Sequence, residues 1–526
     1  METRGTIPVL VVGAGPTGLT LACDLLRRGV ACRVIDKVAT PFAGSRGKGV
    51  QPRGLEVLED LGVLDGMKAL GAAPYPPLHA YKGSQVVWTG LMHEHREPSP
   101  DVPHPLPLML PQYLMEQALR ARLAALGGRV EFATELSAFE QDGEGVTATL
   151  VSPGSEPERV RVLYLVGADG GHSLVRKRLG VPFEGETRED DRMLIADLHV
   201  DGLDRQAWHV WSDLETRKLE VGLCPLAGTD VFQLMAPLAP GEVPEQSEEG
   251  IQRLFNARSG RSDLRLYGVR WLSVFRTNIR LAERYRVGRV LLAGDAAHVH
   301  PPDGGQGLNT GIQDAYNLGW KLGEVLAGAP EALLDTYEEE RLPIAAGVLG
   351  LSTRLHQRGV RSDANAPQRG AETEQLGLHY REGPLSRDER SVRGRVEAGD
   401  RAPDAPCHDA AGNALRLFDV FRGPHFTLLA FGSLPGDTVA GLEARYGARV
   451  RVRAVVPPGG GSGRHVLVDT HGHARRGYDL EGPALVLVRP DGYLGLVTPG
   501  LGTERVEDYL ARVLAPSPRL GAVASA

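Results

Sequence analysis

Two stretches of the sequence join glycines to an acid at a strand end in a way that suits a large anionic ligand. GAGPTG, residues 13–18, sets Gly13, Gly15 and Gly18 in the spacing GxGxxG with Pro16 and Thr17 between them, and Asp36 and Lys37 follow at the end of the next apolar run. In such a motif one glycine makes a tight turn, the second lets the backbone approach a pyrophosphate, and the third lets helix pack on strand. The free N–H groups of the helix start would face the phosphates, and Asp36 would accept a hydrogen bond from a ribose hydroxyl. NAD and FAD satisfy these demands equally. The second stretch, VLLAGDAAHVHPPDGGQGLNTGIQDA at 290–315, breaks the tie. Asp295 ends a buried strand, and a glycine turn then opens a helix whose first N–H groups lack partners. A flavin uses both features: its ribityl hydroxyls suit the acid, and its reduced ring carries negative charge that a helix N-terminus stabilises.

His298 and His300 lie in the same stretch. Their i, i+2 spacing is expected to point them apart, with no carboxylate cluster beside them, so no metal site is expected. Packing or hydrogen bonding is preferred to a general-base role for either. GEGVTA at 143–148 also matches a relaxed glycine motif, but it precedes a strand instead of following one and fails the context test.

The elements that must position these residues follow from periodicity. PVLVVGAGPTGLTLACDLLRRGVACRVIDK reads as strand, glycine turn, helix stopped at Gly29, and second strand. Residues 110–126 read as a helix. Between about 190 and 280, RMLIADLHV, QAWHVWSD, KLEVGLCPL and DVFQLMAPL alternate apolar and polar residues, which predicts an antiparallel sheet with one open face. After the helix that begins near Gly307, a further helix spans EALLDTYEEERLPIAAGVLGLSTRLHQRG, with Pro343 expected to kink or break it. Residues 361–400 read as a partly irregular linker. A separate α/β unit follows, with strands HFTLLAF and RVRAVV, hairpin ALVLVRPDGYLGLV and helix ERVEDYLARVL.

Bulk properties narrow the function. A chain of 526 residues is long enough for about three domains and can enclose a large ligand between them. Its net charge of -7 argues against a nucleic-acid partner, which needs a basic face. Four cysteines without CxxC or zinc spacing disfavour a disulfide scaffold or metal site, and a reducing cytoplasm is the expected location. The first apolar run is interrupted by glycines and is expected to belong to the fold, not to a signal peptide. No uninterrupted apolar stretch is long enough for a membrane helix, so no membrane partner is expected.

With GAGPTG and GDAAHVHPPDGGQGLNTGIQDAYNLGWKL (294–322) stands a third motif, GADGGHSLVRKRLG (167–180). SRGKGVQPRGLEVLEDLG, with Arg46, and LPQYLMEQAL, with Gln112, support them. In this combination the whole chain resembles the FAD-dependent aromatic hydroxylases, the single-component class that includes para-hydroxybenzoate hydroxylase and the polyketide-tailoring monooxygenases. The resemblance implies an α/β fold. A Rossmann-type FAD-binding domain would cover 1–75, 105–180 and 275–330, and an inserted antiparallel-sheet substrate domain 76–104 and 181–274. A helical segment and linker would cover 331–397, and a thioredoxin-like domain 398–526. That last domain has Cys407 but no CxxC, so a structural or interfacial role is expected in place of thioredoxin chemistry.

The same resemblance implies that Asp295 contacts the ribityl chain and that Gly305, Gln306, Gly307, Leu308 and Asn309 line the isoalloxazine. Arg46 and Gln112 would reach FAD from the substrate side. Asp169 and Gly170, with Arg176 nearby, would belong to a segment serving both FAD and NADPH, and Pro302 would sit beside the reactive flavin edge. NADPH, preferred over NADH, would reduce the flavin; O2 would give the C4a-hydroperoxide, and its distal oxygen would pass to an electron-rich phenolic or polyketide-type ring. His209, Trp211 and Gln233, with Trp208 beside them, are the candidate substrate contacts, although alternation alone does not settle which face inward. No general base is identifiable. A homodimer is the assembly considered. Baeyer–Villiger insertion on the same scaffold is the alternative, weakened by the missing FxGxxxHxxxW; the halogenase motif WxWxIP is also missing. A noncatalytic flavin- or drug-binding protein is the alternative from another class.

Overall fold

The computed structural model describes residues 7–213, 218–301, 304–360 and 369–515, with the backbone alone at 356–360. Three eight-stranded sheets carry the fold. In the first, the strand Ile7–Val12 lies parallel between Cys32–Ile35 and Glu158–Gly167, and Val290–Leu292 runs parallel to the latter. All the strand ends that carry the glycine motifs therefore meet at one edge. Helix Pro16–Arg27 starts with a proline, whose missing N–H costs nothing in a first turn, and the chain leaves it at Gly29 with φ +76°. It packs against helix Gly307–Leu326 through glycines. A Cβ on Gly319 would stand 2.2 Å from Asp24 Oδ2, and one on Gly311 would stand 2.4 Å from Thr17 Oγ1. The GEGVTA segment lies in and after a hairpin turn between Glu135–Gln141 and Val146–Val151.

The second sheet is antiparallel except where Trp208–Ser212 runs parallel to Leu78–Lys82. Its centre is the long pair Phe183–Asp201 and Arg265–Ala282. One face carries Leu194, Ala196, Trp211, Val221, Leu223, Phe232 and Leu234, all buried with Ile251 and Phe255 of helix Glu248–Ser259. The opposite face carries Trp208, Cys224 and Met235 and packs on Leu78, Met109 and Tyr75.

In the third sheet, Phe426–Phe431 lies between the parallel strand Val450–Val456 and the antiparallel strand Ala484–Val488, which Leu494–Pro499 follows in a hairpin. This is the thioredoxin-like arrangement, and Arg387–Asp388 joins its edge. Of the kink or break expected at Pro343, the break does not occur, because helix Asp335–Val360 runs on through it. Pro343 and Glu339 are both exposed, so the Glu339 carbonyl that loses its helical N–H partner meets water instead. Among the described residues no helix is long and apolar enough to cross a membrane.

Candidate active site

The GxGxxG loop is closed behind and open in front. Gly13 adopts φ +107°, and a Cβ there would stand 2.2 Å from the Ala168 carbonyl oxygen. On Gly18 a Cβ would stand 2.0 Å from the Gly13 carbonyl oxygen, whereas at Gly15 it would meet nothing within 4 Å. Gly15 caps the helix without a side-chain hydrogen bond, and Pro16 leads into Thr17 and Gly18. The half-buried Asp36 accepts from Ala14 N at 2.8 Å and Val38 N at 3.1 Å, bracing the loop, while Lys37 is exposed.

Thr17 links the first motif to the second. Its side chain is wedged between Gly294 (φ +62°) and Gly311, each of which would bring a Cβ to 2.4 Å from Thr17 Oγ1. Asp295 follows in a single 3-10 turn, its side chain exposed within a protein-rich cleft. That surrounding protein raises its pKa, against the opposing charges of His298 and Arg46. The 167–180 segment closes the third side. Asp169 Oδ2 accepts from Leu174 N at 2.7 Å and Val175 N at 3.2 Å, while its other oxygen is buried without a partner. Gly170 (φ +80°) faces open space. Arg176 donates to Ala296 O and Gly171 O, tying this segment to the Asp295 turn.

Helix Gly307–Leu326 begins at Gln306 without a side-chain cap. The Gln306 amide turns away, donating to Gly304 O and Thr373 O and accepting from Gln375, so it offers the cleft only its backbone. Asn309 likewise faces inward, bonding Gly49 O, Gly305 O and Gln51 N. Gly305 is exposed, Leu308 packs on Gly47, and Gly307 lies beside His300. Gln112 holds the Arg46 loop by accepting from Gly47 N and donating to Glu116; Arg46 is exposed and lies over the Phe42 ring. Pro302 lies outside the described residues. The open approaches at Gly15 and Gly170, two uncapped helix starts and the unpartnered Asp169 oxygen fit a ligand with a pyrophosphate, hydroxyls and a flat ring, as FAD has.

Beyond the Arg46 loop stands the second sheet, and strand alternation corrects the expected substrate contacts. His209 and Trp211 belong to the far face. His209 bonds Tyr81 Oη at 2.9 Å, and Trp211 meets Phe255 edge-on at 5.2 Å. Gln233 and Trp208 belong to the near face, because the side-chain period of two sends neighbours on a strand to opposite sides. Gln233 Nε2 donates to Ser45 O at 2.6 Å, and its Oε1 accepts from Lys48 Nζ. Lys48 lies 4.4 Å from the centre of the Trp208 ring. Ser45 Oγ donates to Asp197, opposite Gln233 in the sheet register. Burial raises the Asp197 pKa to about 6, against the Ser45 hydrogen bond and the charge of Lys48. Burial also pulls the Lys48 pKa down. Tyr75 stacks toward Trp208 at 6.5 Å and lines a cavity of about 110 Å³ with Met92, His93, Leu106 and Pro107. Lys48, Ser45 and Asp197 escaped the sequence reading; an acid inside the apolar run LIADL was the available signal.

The histidines are also corrected. Strand structure stops at His298–Val299, the chain turns, and the two rings come within 4.9 Å, with His300 Nε2 2.9 Å from His298 Nδ1. A carboxylate does accompany them: His298 Nε2 lies 2.6 Å from Asp314 Oδ2, and Arg341 donates to the other oxygen. Burial raises the Asp314 pKa, but His298 and Arg341 outweigh it, and the net shift is strongly downward. Among the described residues no group of three or more His, Cys, Asp or Glu side chains could hold a metal ion.

Comparison with known proteins agrees with this geometry. Residues 6–352 match the FAD binding domain family, and residues 396–517 match the aromatic-ring hydroxylase C-terminal family. A flavin-dependent monooxygenase of Mycobacteroides abscessus is 45% identical, with 96% of this chain and 100% of that protein aligned. The 12-dehydrotetracycline 5-monooxygenase/anhydrotetracycline 6-monooxygenase of Streptomyces rimosus is 35% identical over 97% of this chain and 99% of its own. The solved structure of aklavinone-11 hydroxylase with FAD and aklavinone superposes with a TM-score of 0.80 at 30% identity, covering 98% of this chain and 100% of that one. The chain belongs to the FAD-dependent aromatic-ring hydroxylases, a family of flavin-dependent monooxygenases.

Proposed function

We propose that the protein is an NAD(P)H- and O2-dependent monooxygenase, with NADPH the preferred reductant, that hydroxylates a phenolic substrate of polyketide type. The observation that supports this reading is the Arg46 loop, whose Gly47 packs on Leu308 and whose Ser45 and Lys48 bond Gln233 of the second sheet, beside the apolar and aromatic surface of Trp208, Tyr75 and Met235. Sites for flat organic ligands combine these features. The substrates named for the tetracycline and aklavinone relatives, all polycyclic, support the choice of class.

In this reading the start of helix Pro16–Arg27 receives the pyrophosphate and Asp36 a ribose hydroxyl. Asp295 would hold the ribityl chain, and the backbone of 305–309, at a helix N-terminus, would hold the flavin ring and stabilise its negative charge on reduction. Bound there, FAD would supply the redox chemistry, accepting electrons from NADPH and delivering them to O2. Asp169 and Gly170 border the reductant's path, and Arg46 and Gln112 set the loop between cofactor and substrate. The assembly considered is a homodimer.

Substrate-stimulated NADPH oxidation by the flavin-loaded protein, measured across single-ring phenols and polycyclic phenols, tests the reading. Stimulation by polycyclic phenols with hydroxylated product is expected. A lactone or ester product would instead favour Baeyer–Villiger insertion, and flavin-loaded protein that binds the phenols without oxidising NADPH would indicate a binding protein.

A further inference from the structure

The near face holds three polar groups, Asp197 and Trp208 buried and Lys48 half-buried, whose hydrogen-bonding capacity exceeds what the protein supplies. Lys48 has three N–H donors and reaches Gln233 Oε1 and, at 3.4 Å, Met235 Sδ; no ion-pair partner stands beside it among the described residues. Asp197, 1% exposed, has one oxygen on Ser45 and the other without a partner, and Trp208, 8% exposed, has an unpartnered Nε1. Gly47, next to Lys48, packs on Leu308 at the start of the helix facing the cofactor cleft, and Arg46 acts electrostatically on Asp295. The Lys48 ammonium therefore stands between cofactor cleft and sheet, where the ring to be oxidised must lie. An ammonium enclosed by protein without a direct ion pair is costly, and an anion placed beside it offsets that cost.

We propose that Lys48 is the substrate anchor, binding the deprotonated hydroxyl of a phenolic or enolic substrate while Asp197 takes up its proton. The idea rests on the hydroxylase reading above. In this step the substrate O–H bond breaks, the proton bonds to the free oxygen of Asp197, and the electron pair remains on the substrate oxygen as a phenolate paired with Lys48. No redox change occurs. The phenolate is the electron-rich form that an electrophilic oxygen donor attacks, so the pair supplies the missing base. Asp197, with its pKa raised to about 6, is a carboxylate above that pH and able to accept. The charged and titratable groups around the pair are Arg270, Tyr113, Cys224 and Arg205. Burial raises the Tyr113 and Cys224 pKa values, leaving both neutral near pH 7.

The probe is alizarin, a hydroxyanthraquinone whose phenolate absorbs at longer wavelength than its phenol. It is titrated on the flavin-loaded protein in the dark without NADPH. The wild type is expected to lower the dye's pKa by about one unit or more, a tenfold preference for the anion. Lys48→Gln should abolish that shift while retaining flavin, and Lys48→Arg should restore most of it. In turnover, wild-type kcat/KM should fall below about pH 6, and Asp197→Asn should remove that acid limb together with most of the activity. Equal dye pKa values in wild type and Lys48→Gln, with flavin retained, would overturn the anchor while leaving the hydroxylase reading intact. Flavin-loaded wild type that binds neither alizarin nor other polycyclic phenols would instead overturn the polycyclic-phenol reading and the anchor with it.

Discussion

At the scale of residues, the cofactor cleft is built from backbone, and few side chains are left to hold the ligand. Gln306 and Asn309 turn into the protein, and Gln112 secures the Arg46 loop, which leaves Asp295 as the exposed acid among the described residues of the second motif. Asp295→Ala is therefore expected to weaken FAD binding by about 10- to 100-fold, the effect of losing a hydrogen bond to a charged group. Flavin fluorescence titration of the apoprotein measures it, and unchanged affinity would remove the proposed role. The glycine spacing was legible in the sequence because each position has a local demand, such as the carbonyl 2.2 Å from a Gly13 Cβ. Lys48 and Asp197 were not, because their roles arise from a contact between residues far apart in sequence. The histidine pair was misread for a related reason: a strand of two residues gives alternation no length over which to operate.

At the scale of elements, the second sheet separates stability from recognition by side-chain parity. Trp211, 2% exposed in the rear core, and Trp208, on the near face, are three positions apart and point to opposite sides. Trp211→Ala is expected to cost about 3–5 kcal/mol of stability by opening a cavity. Its thermal midpoint should fall with KM little changed in the folded fraction. Trp208→Ala should instead raise KM for the aromatic substrate by about tenfold or more with a smaller loss of stability. Thermal melts and steady-state kinetics on the two variants separate these outcomes, and the reverse pattern would refute the assignment of faces. Alternation in QAWHVWSD foretold the strand. Which parity faces the cleft depends on helix Glu248–Ser259 covering one side, and only the assembled packing reveals it.

At the scale of the whole molecule, a buried ionic network joins the C-terminal domain to the helices behind the cofactor cleft. Arg489 donates to both oxygens of Glu340 at 2.7 and 2.8 Å and to Asp491, Lys321 donates to Glu340 at 2.7 Å, and Trp320 and Asn317 donate to Asp491. Through this contact the C-terminal domain, which has no CxxC, bonds to the helix whose first turn faces the cleft. Burial raises the Glu340 pKa, but Arg489 and Lys321 outweigh it and hold the carboxyl at about 2. A depressed folded-state pKa stabilises fully above the unfolded value near 4.5, and that contribution, on the order of 3 kcal/mol, is lost as pH falls toward 2. Glu340→Gln should lower the melting temperature at pH 7 and flatten its decline between about pH 4.5 and 2. An unchanged acid limb would contradict the network's role. This interface was not legible in the sequence, because Lys321, Glu340 and Arg489 come together from segments far apart in the chain. The central claim, oxygen transfer to a phenolic ring from a flavin held between these domains, is tested most directly by turnover of a polycyclic phenol under isotopically heavy dioxygen. The FAD-loaded protein with NADPH should yield a product carrying one heavy oxygen as a new ring hydroxyl. Unlabelled product, or no product despite retained flavin, would contradict the account.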